Sequence, residues 1–346
     1  MVQRFDVGVV GGGVLGLSVA RAAARKGRSA VLFEQYPIGH PYGSSHGPVR
    51  AFAIPHGQTE MISMASEALP MWHELAEEQC GLLWEQGVML RAMDRHDQVC
   101  AAMRDAGLTF EELDAATVLD RYGISLPDGA KVVHSQQGGT IRADLALEVL
   151  RASSVAHGAV IHDETPVTGV AANHAGAVLA TTAGDFHVEH VVVAAGAWSG
   201  ELLRPLGIDV PVRASRQSVG YFHHPDAAHV PALYEALDPA MYWVSSDETT
   251  IRVGEHNDDA YPPDLGSTGQ PDAATLERLA AHVRSRLPDA DDTLLRADTC
   301  IYTHTGGSFV IERHGRVTAA VACEGRGFKF APYLGERIVS GLEDQL

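Results

Sequence analysis

The stretch Asp6-Val7-Gly8-Val9-Val10-Gly11-Gly12-Gly13-Val14-Leu15-Gly16-Leu17 limits what this chain can fold into more than any other. Apolar residues dominate up to Gly11, as a strand buried on both faces requires. Gly11, Gly13 and Gly16 then fall in G-x-G-x-x-G spacing. The first glycine permits a tight turn, the second lets backbone approach a pyrophosphate, and the third lets a helix pack close to the strand. A helix over Val14 to Arg25 would aim its free N–H groups and positive dipole end at phosphates. A second strand, Ser29–Phe33, ends in Glu34, about 20 residues on, where a carboxylate accepts hydrogen bonds from ribose hydroxyls. The pattern predicts a doubly wound α/β fold that binds a dinucleotide.

At 346 residues the chain is long enough for two domains. Its net charge of -18 argues against nucleic acid or an anionic membrane as partner, because phosphate binding needs the opposite sign. Cys80, Cys100, Cys300 and Cys323 form no C-x-x-C pair and no dense framework, a pattern suited to free thiols in a reducing cytoplasm. The 18 histidines are scattered, and no metal is expected. The N-terminal apolar run is opened by Asp6 and interrupted by glycines that the nucleotide turn explains, so it is not read as a secretory signal. No run of about 20 apolar residues predicts a membrane span.

Past Glu34, Pro37–Pro48 is rich in proline, glycine and serine and reads as a loop near the carboxyl edge of the sheet, followed by Arg50. Thr59–Glu78 has helical periodicity, with Pro70 expected to break or kink it. Between Gly81 and Gly139 short strands such as Val88–Arg91 alternate with helices expected over Asp97–Ala106 and Phe110–Leu119. Val167–Val170 and Ala177–Thr181 read as a small meander, and Glu189–Trp198 as a buried strand entering a glycine turn at Gly196. Ala240–Val244 and Thr249–Gly254 look like paired strands, Ala274–Arg286 like a helix, and Val317–Ala322 like a returning strand. A Gly325–Gly327 turn and a helix from about Ala331 to Leu342 close the chain. The nucleotide domain is therefore expected to be discontinuous.

These motifs together resemble the D-amino-acid-oxidase-like FAD oxidoreductases, and within them the monomeric sarcosine oxidase and N-methyl-amino-acid oxidase group. The resemblance runs nearly the whole length: Val9–Gly16, Gly43-Ser44-Ser45-His46-Gly47 with Arg50, Val193–Trp198, Thr299-Cys300-Ile301-Tyr302-Thr303 and Gly325-Arg326-Gly327-Phe328-Lys329-Phe330. It implies an α/β chain with a Rossmann-like FAD-binding domain, built from 1–80, 140–211 and 296–346. A mixed-sheet, α+β substrate domain would comprise 81–139 and 212–295.

The resemblance also implies roles. FAD would lie along Gly11, Gly13, Gly16, Glu34, Ser44, Ser45, His46, Arg50, Val167, Gly196, Trp198, Tyr302, Gly325, Gly327 and Phe328. Cys300 sits where this group links its thiol to the flavin 8α-methyl carbon. Lys329 sits where the family places a lysine at the flavin and the substrate carboxylate. Arg50 and His46 match positions beside the isoalloxazine ring, and His256 matches a histidine facing substrate. His56 and Tyr242 are expected at the substrate, and Lys329, Arg252, Arg50 and His256 are the catalytic candidates. Three positions depart from the group: Arg252 stands for a lysine near flavin N5, Ala53 for an arginine that clamps the substrate carboxylate, and His56 for a tyrosine. Arginine keeps the positive charge but is longer, planar and effectively never deprotonated.

The expected reaction is FAD-dependent oxidation of a C–N bond in a secondary or N-alkyl amine or amino acid, with oxygen as acceptor and a substrate other than sarcosine. A dehydrogenase of the same fold with another electron acceptor, an NAD(P)-dependent dehydrogenase and a non-enzymatic flavin-binding subunit stay open as alternatives. A small-molecule amine is the partner, and a monomer or small homo-oligomer the assembly.

Overall fold

The computed structural model describes residues 4–256 and 264–342. Its first sheet has eight strands. Arg4–Val10 lies at the centre, parallel to Ala30–Phe33 on one side and Gly184–Val193 on the other. Val160–His162 extends the sheet beyond Ala30–Phe33. Along its other edge Gly184–Val193 is long enough for two partners. Its first half pairs with Gly176–Thr181, which leads on to Val167–Asn173, and its second half runs parallel to Val317–Val321. The central strands are Val-rich and buried, as a sheet covered on both faces demands.

One face is covered by the helices Val14–Arg25, Thr59–Glu78, Ala143–Ala156 and Ala331–Gly341, which share a core with Val7, Val9 and Leu32. Small residues on the first helix, Ala20 and Ala22 to Ala24, let neighbours approach closely. Gly335 of the last helix presses so tightly that a Cβ there would stand 2.7 Å from the Ser18 carbonyl. The other face packs Val10, Val31, Phe33, Val191 and Val193 against the meander.

A second eight-stranded sheet is ordered Leu294–His304, Arg213–His223, Thr250–His256, Ala240–Ser245, Ala232–Glu235, Val88–Arg91, Lys131–Ser135 and Glu111–Asp114. The helix Ala273–Arg286 packs on it with Leu279 and Val283. A third, small sheet joins Val49–Ala53, Gly138–Arg142 and Leu83–Trp84.

Three local expectations are corrected. Thr59–Glu78 does not break at Pro70: burial of Met61, Ile62, Ala65, Ala68, Leu69, Trp72 and Leu75 along one face outweighs one missing N–H. Phe110–Leu119 is not a helix: Glu111–Asp114 pairs with Lys131–Ser135, and Asp114 then caps a helix over Ala115–Tyr122 by accepting from the Thr117 N–H at 2.8 Å. A boundary at 296 cuts the strand Leu294–His304, which hydrogen-bonds along its length to Arg213–His223 in the second sheet.

Candidate active site

A cleft of about 480 Å³ opens at the carboxyl ends of the first sheet's parallel strands, the place where doubly wound sheets bind ligands. Val10–Leu15 form its floor. Phe33–Gln35, Gly39, His40 and Gly43–His46 line one side, and Val167, Ala194–Gly196 and Trp198 the other. Tyr302, Thr303, Val321–Cys323, Gly325, Gly327 and Phe328 close the far end.

Gly11 and Gly16 take the turn and close-packing roles that their spacing predicts. Gly11 has φ +107°, and a Cβ there would lie 2.4 Å from the Ala194 carbonyl oxygen. A Cβ on Gly16 would lie 1.9 Å from the Gly11 oxygen, so Gly16 sets helix–strand distance and does not line the cleft. Gly13 is the N-cap and offers no side-chain cap. The Val14 N–H donates to Ser45 Oγ at 3.1 Å, and the first-turn N–H groups that follow have no partner within the helix. Glu34 Oε2 accepts from the Gly12 N–H at 2.7 Å; Oε1 accepts from the Tyr36 N–H at 3.0 Å and lies 3.5 Å from His40 Nε2. Burial raises its pKa, but these hydrogen bonds outweigh it and hold the carboxyl below its ordinary range. A carboxylate has about four lone-pair sites, which leaves Oε2 free to accept once more. An open glycine cradle, an uncapped helix start and a carboxylate with spare capacity fit the adenosine and pyrophosphate of FAD.

At the other end, Arg50 donates to three carbonyl oxygens: Val49 at 2.7 Å, Ser44 at 2.7 Å and His46 at 2.6 Å. Its guanidinium carbon stands 5.6 Å from the centre of the Phe328 ring. Arg50 therefore clamps the early loop while lining the cleft. His46 joins that loop to the second sheet, with Nδ1 3.0 Å from the Gly43 oxygen and Nε2 2.9 Å from the Thr299 oxygen. Ser44 Oγ donates to the Ile301 oxygen. Burial and then the charge of Arg50 push His46 down to about 4, against the pull of its carbonyl partners. Cys300 does not line the cleft. Burial raises its thiol pKa, and the charges of Arg252 and Arg50 oppose that rise.

Beyond Tyr302 lies a group of basic and aromatic side chains that do not line the cleft. Arg252, Gly254 and His256 alternate along Thr250–His256 and so share a face. A Cβ on Gly254 would stand 2.4 Å from Tyr242 Oη, so glycine is what lets that ring cross the strand. Arg252 Nη1 donates to Tyr242 Oη at 3.3 Å, and Tyr242 Oη is 3.4 Å from Tyr302 Oη. The His256 ring packs among Tyr234, Tyr242 and Tyr302 at 5.6, 5.3 and 5.3 Å. Lys329 is buried, with Nζ 3.5 Å from the Arg326 carbonyl oxygen and 4.5 Å from the Phe330 ring centre. Its own carbonyl accepts from Trp72 Nε1 at 2.7 Å, and Trp72 stacks on Phe328.

Burial and the nearby charge of Arg326 push Lys329 from 10.5 down to about 7. Burial, Lys329 and Arg326 push His256 down to about 4 and His56 to about 2. Both imidazoles are thus neutral at neutral pH. Among the described residues no carboxylate pairs with Arg50, Arg252, Arg326 or Lys329. Sequence reasoning assigned no role to His40 or Arg326 and ranked Cys323 below Cys300 as the thiol for flavin attachment. Each lies inside or next to a motif it had singled out.

A family model described as FAD dependent oxidoreductase matches residues 6–340. The monomeric sarcosine oxidase of Bacillus sp. strain NS-129 is 26% identical, across 98% of this chain and 92% of its own length. The N-methyl-L-tryptophan oxidase of Yersinia pestis strain Pestoides F is 26% identical, across 96% and 93%. The solved structure of NikD, described as an unusual amino acid oxidase essential for nikkomycin biosynthesis, superposes with a TM-score of 0.85 at 24% identity, covering 99% of this chain and 95% of that one. The chain belongs to the FAD-dependent oxidoreductase family, in the sarcosine-oxidase-like group of amine and amino-acid oxidases. FAD, rather than a nicotinamide, is the cofactor of this family. No helix among the described residues is long and apolar enough to cross a membrane.

Proposed function

We propose that this protein oxidises the C–N bond of an N-alkyl or cyclic secondary amino acid, other than sarcosine, to an imine. The observation that supports the reading is buried Lys329, with no carboxylate partner among the described residues, and His256, neutral and held among three tyrosines. Such a group of side chains attracts a carboxylate and leaves the amine uncharged. With Ala53 at the clamp position, Lys329 is the group that takes the carboxylate, whose arrival favours the charged ammonium. His256, neutral and held among three tyrosines, can accept the amine N–H and fix the nitrogen's direction.

The backbone of Gly11–Val14 would hold the pyrophosphate of FAD and Glu34 a ribose hydroxyl. Ser44–His46, Tyr302, Gly325, Gly327 and Phe328 would hold the ring, and Cys300 is the proposed attachment thiol. Bound FAD supplies the two-electron acceptor. The substrate loses two electrons and two protons to become an imine, which water hydrolyses to a carbonyl compound and an amine. Oxygen takes the two electrons and two protons to give hydrogen peroxide. Arg252 is the cation placed to stabilise negative charge on oxygen at the site, and its Nη1 is held by Tyr242. A second reading, a dehydrogenase that uses another acceptor, is favoured by that arginine standing where the group has a lysine. Four free thiols support a reducing, cytoplasmic compartment.

Anaerobic mixing with a panel of N-alkyl and cyclic amino acids tests the reaction: bleaching of the flavin supports it, and no bleaching by any member overturns it. Peroxide yield against dye reduction decides the acceptor. Denaturing precipitation tests attachment: flavin should stay with wild-type protein and with Cys323→Ser, and should be released from Cys300→Ser.

A further inference from the structure

Beside the second sheet, nitrogen, sulfur and oxygen donors converge at a place that takes no part in the cleft. His96 and Cys100 lie four residues apart on the helix His96–Asp105, so they share one of its faces. Glu112 reaches them from the strand Glu111–Asp114. His96 Nε2 stands 3.2 Å from Glu112 Oε2 and 3.6 Å from Cys100 Sγ. All three donor atoms lie within 4.8 Å of one another. His96 and Cys100 are buried, while Glu112 is exposed and opens the cluster to solvent. Arg104, its guanidinium over the Phe110 ring, donates from Nη2 to the other carboxylate oxygen of Glu112 at 2.5 Å, which leaves Oε2 facing the histidine. The sequence alone does not announce this cluster, because Glu112 joins it only through the pairing of its strand with Lys131–Ser135.

The spacing is that of ligands around one ion. Four-coordinate zinc binds nitrogen and oxygen at about 2.0–2.2 Å and thiolate sulfur at about 2.3 Å. A tetrahedral angle between such bonds puts nitrogen and oxygen about 3.3 Å apart, and nitrogen and sulfur about 3.5 Å apart. The observed 3.2 and 3.6 Å match both edges. A charge-assisted hydrogen bond between imidazole and carboxylate would instead draw in to about 2.7–2.9 Å. Imidazole, thiolate and carboxylate are a set that zinc accepts, whereas magnesium and calcium call for oxygen throughout. The Arg104 contact is the outer hydrogen bond that orients a ligating carboxylate. Three protein ligands leave the fourth position to water, beside exposed Glu112. We infer that His96, Cys100 and Glu112 form a binding site for a thiophilic divalent cation, zinc by preference, which ties the helix to the strand. On binding, the Cys100 S–H bond is exchanged for an S–metal bond and the proton passes to water. The site does not depend on the amine-oxidation reading.

The test uses the full flavin-loaded chain, cleared of metal by chelation and dialysed against zinc, with bound metal read by elemental analysis. One zinc per chain should bind with a dissociation constant of about 1 μM or lower. Glu112→Gln and Cys100→Ser should each weaken binding by about 100-fold or more, and Arg104→Gln by about tenfold. Cys80→Ser, at the exposed thiol, should leave it unchanged. Glu112 is exposed, so Glu112→Gln decides the matter even where Cys100→Ser fails to fold. Magnesium in about hundredfold excess should not displace zinc. Cobalt in place of zinc should add a sulfur-to-cobalt charge-transfer band, read as a difference spectrum over the flavin, that Cys100→Ser lacks. The site is overturned by the absence of saturable one-to-one binding, by binding that survives in Glu112→Gln, by displacement with magnesium, or by a cobalt spectrum unchanged in Cys100→Ser.

Discussion

Lys329→Met removes the charge while keeping most of the stem, and its effect on stability should depend on pH. The lysine is buried and titrates near 7 in the folded protein, against 10.5 as its ordinary value. Between those values the unfolded chain holds a proton that the folded chain does not, so raising the pH stabilises the wild type relative to the variant. The limiting slope is about 1.4 kcal/mol per pH unit. Integrated from about pH 7 to about pH 9, the wild type should gain about 2 kcal/mol over Lys329→Met, with the gain ending above about pH 10.5. His56 and His256 are neutral throughout this range, and groups common to both proteins cancel in the difference. Urea denaturation of both proteins at several pH values measures it directly. Parallel stability curves would show that Lys329 is solvated or paired in solution, and would remove the basis for treating it as a poised cation.

Gly254→Ala places a methyl group where Tyr242 Oη now lies, so the ring must move by about 1 Å. The protein should stay folded while turnover falls about 10- to 100-fold, and an unchanged rate would mean that Tyr242 does not position the site. Glu34→Ala strips the acceptor from the buried Gly12 N–H, at about 1–3 kcal/mol, and from the Tyr36 N–H; stability and flavin content at purification should both fall. Arg50→Lys cannot span three carbonyl oxygens with one compact ammonium. About 2–4 kcal/mol should be lost, with flavin released at lower urea, and equal flavin retention would show that the loop does not need its clamp.

What could be read from the sequence follows from how local each signal is. The G-x-G-x-x-G turn, Glu34 and the helix Val14–Arg25 come from one contiguous segment with a fixed period, and they fell where expected. The acidic segment at Glu111 did not, because its strand exists only through pairing with Lys131–Ser135, a partner that composition does not announce. Pro70 misled because the breaker rule is local while the burial of Trp72 and Leu75 is tertiary. The basic group was half legible. Lys329 and His256 were found through the resemblance, but Arg326 looked like a turn residue, and its buried, unpartnered Nε becomes visible only in three dimensions.

The strand Leu294–His304 belongs by hydrogen bonding to one sheet, yet Tyr302 lines a cleft whose floor is another, and Cys300 lies two residues along on the same face of the strand. Side chains alternate along a strand, so slipping it by a single residue against Arg213–His223 would exchange Cys300 and Tyr302 for their neighbours Thr299 and Ile301. No half-formed version of the site can then exist: thiol and phenol arrive together or not at all. Any insertion or deletion between His223 and Thr299 that altered this alignment would abolish both at one stroke, even with every individual side chain left in place.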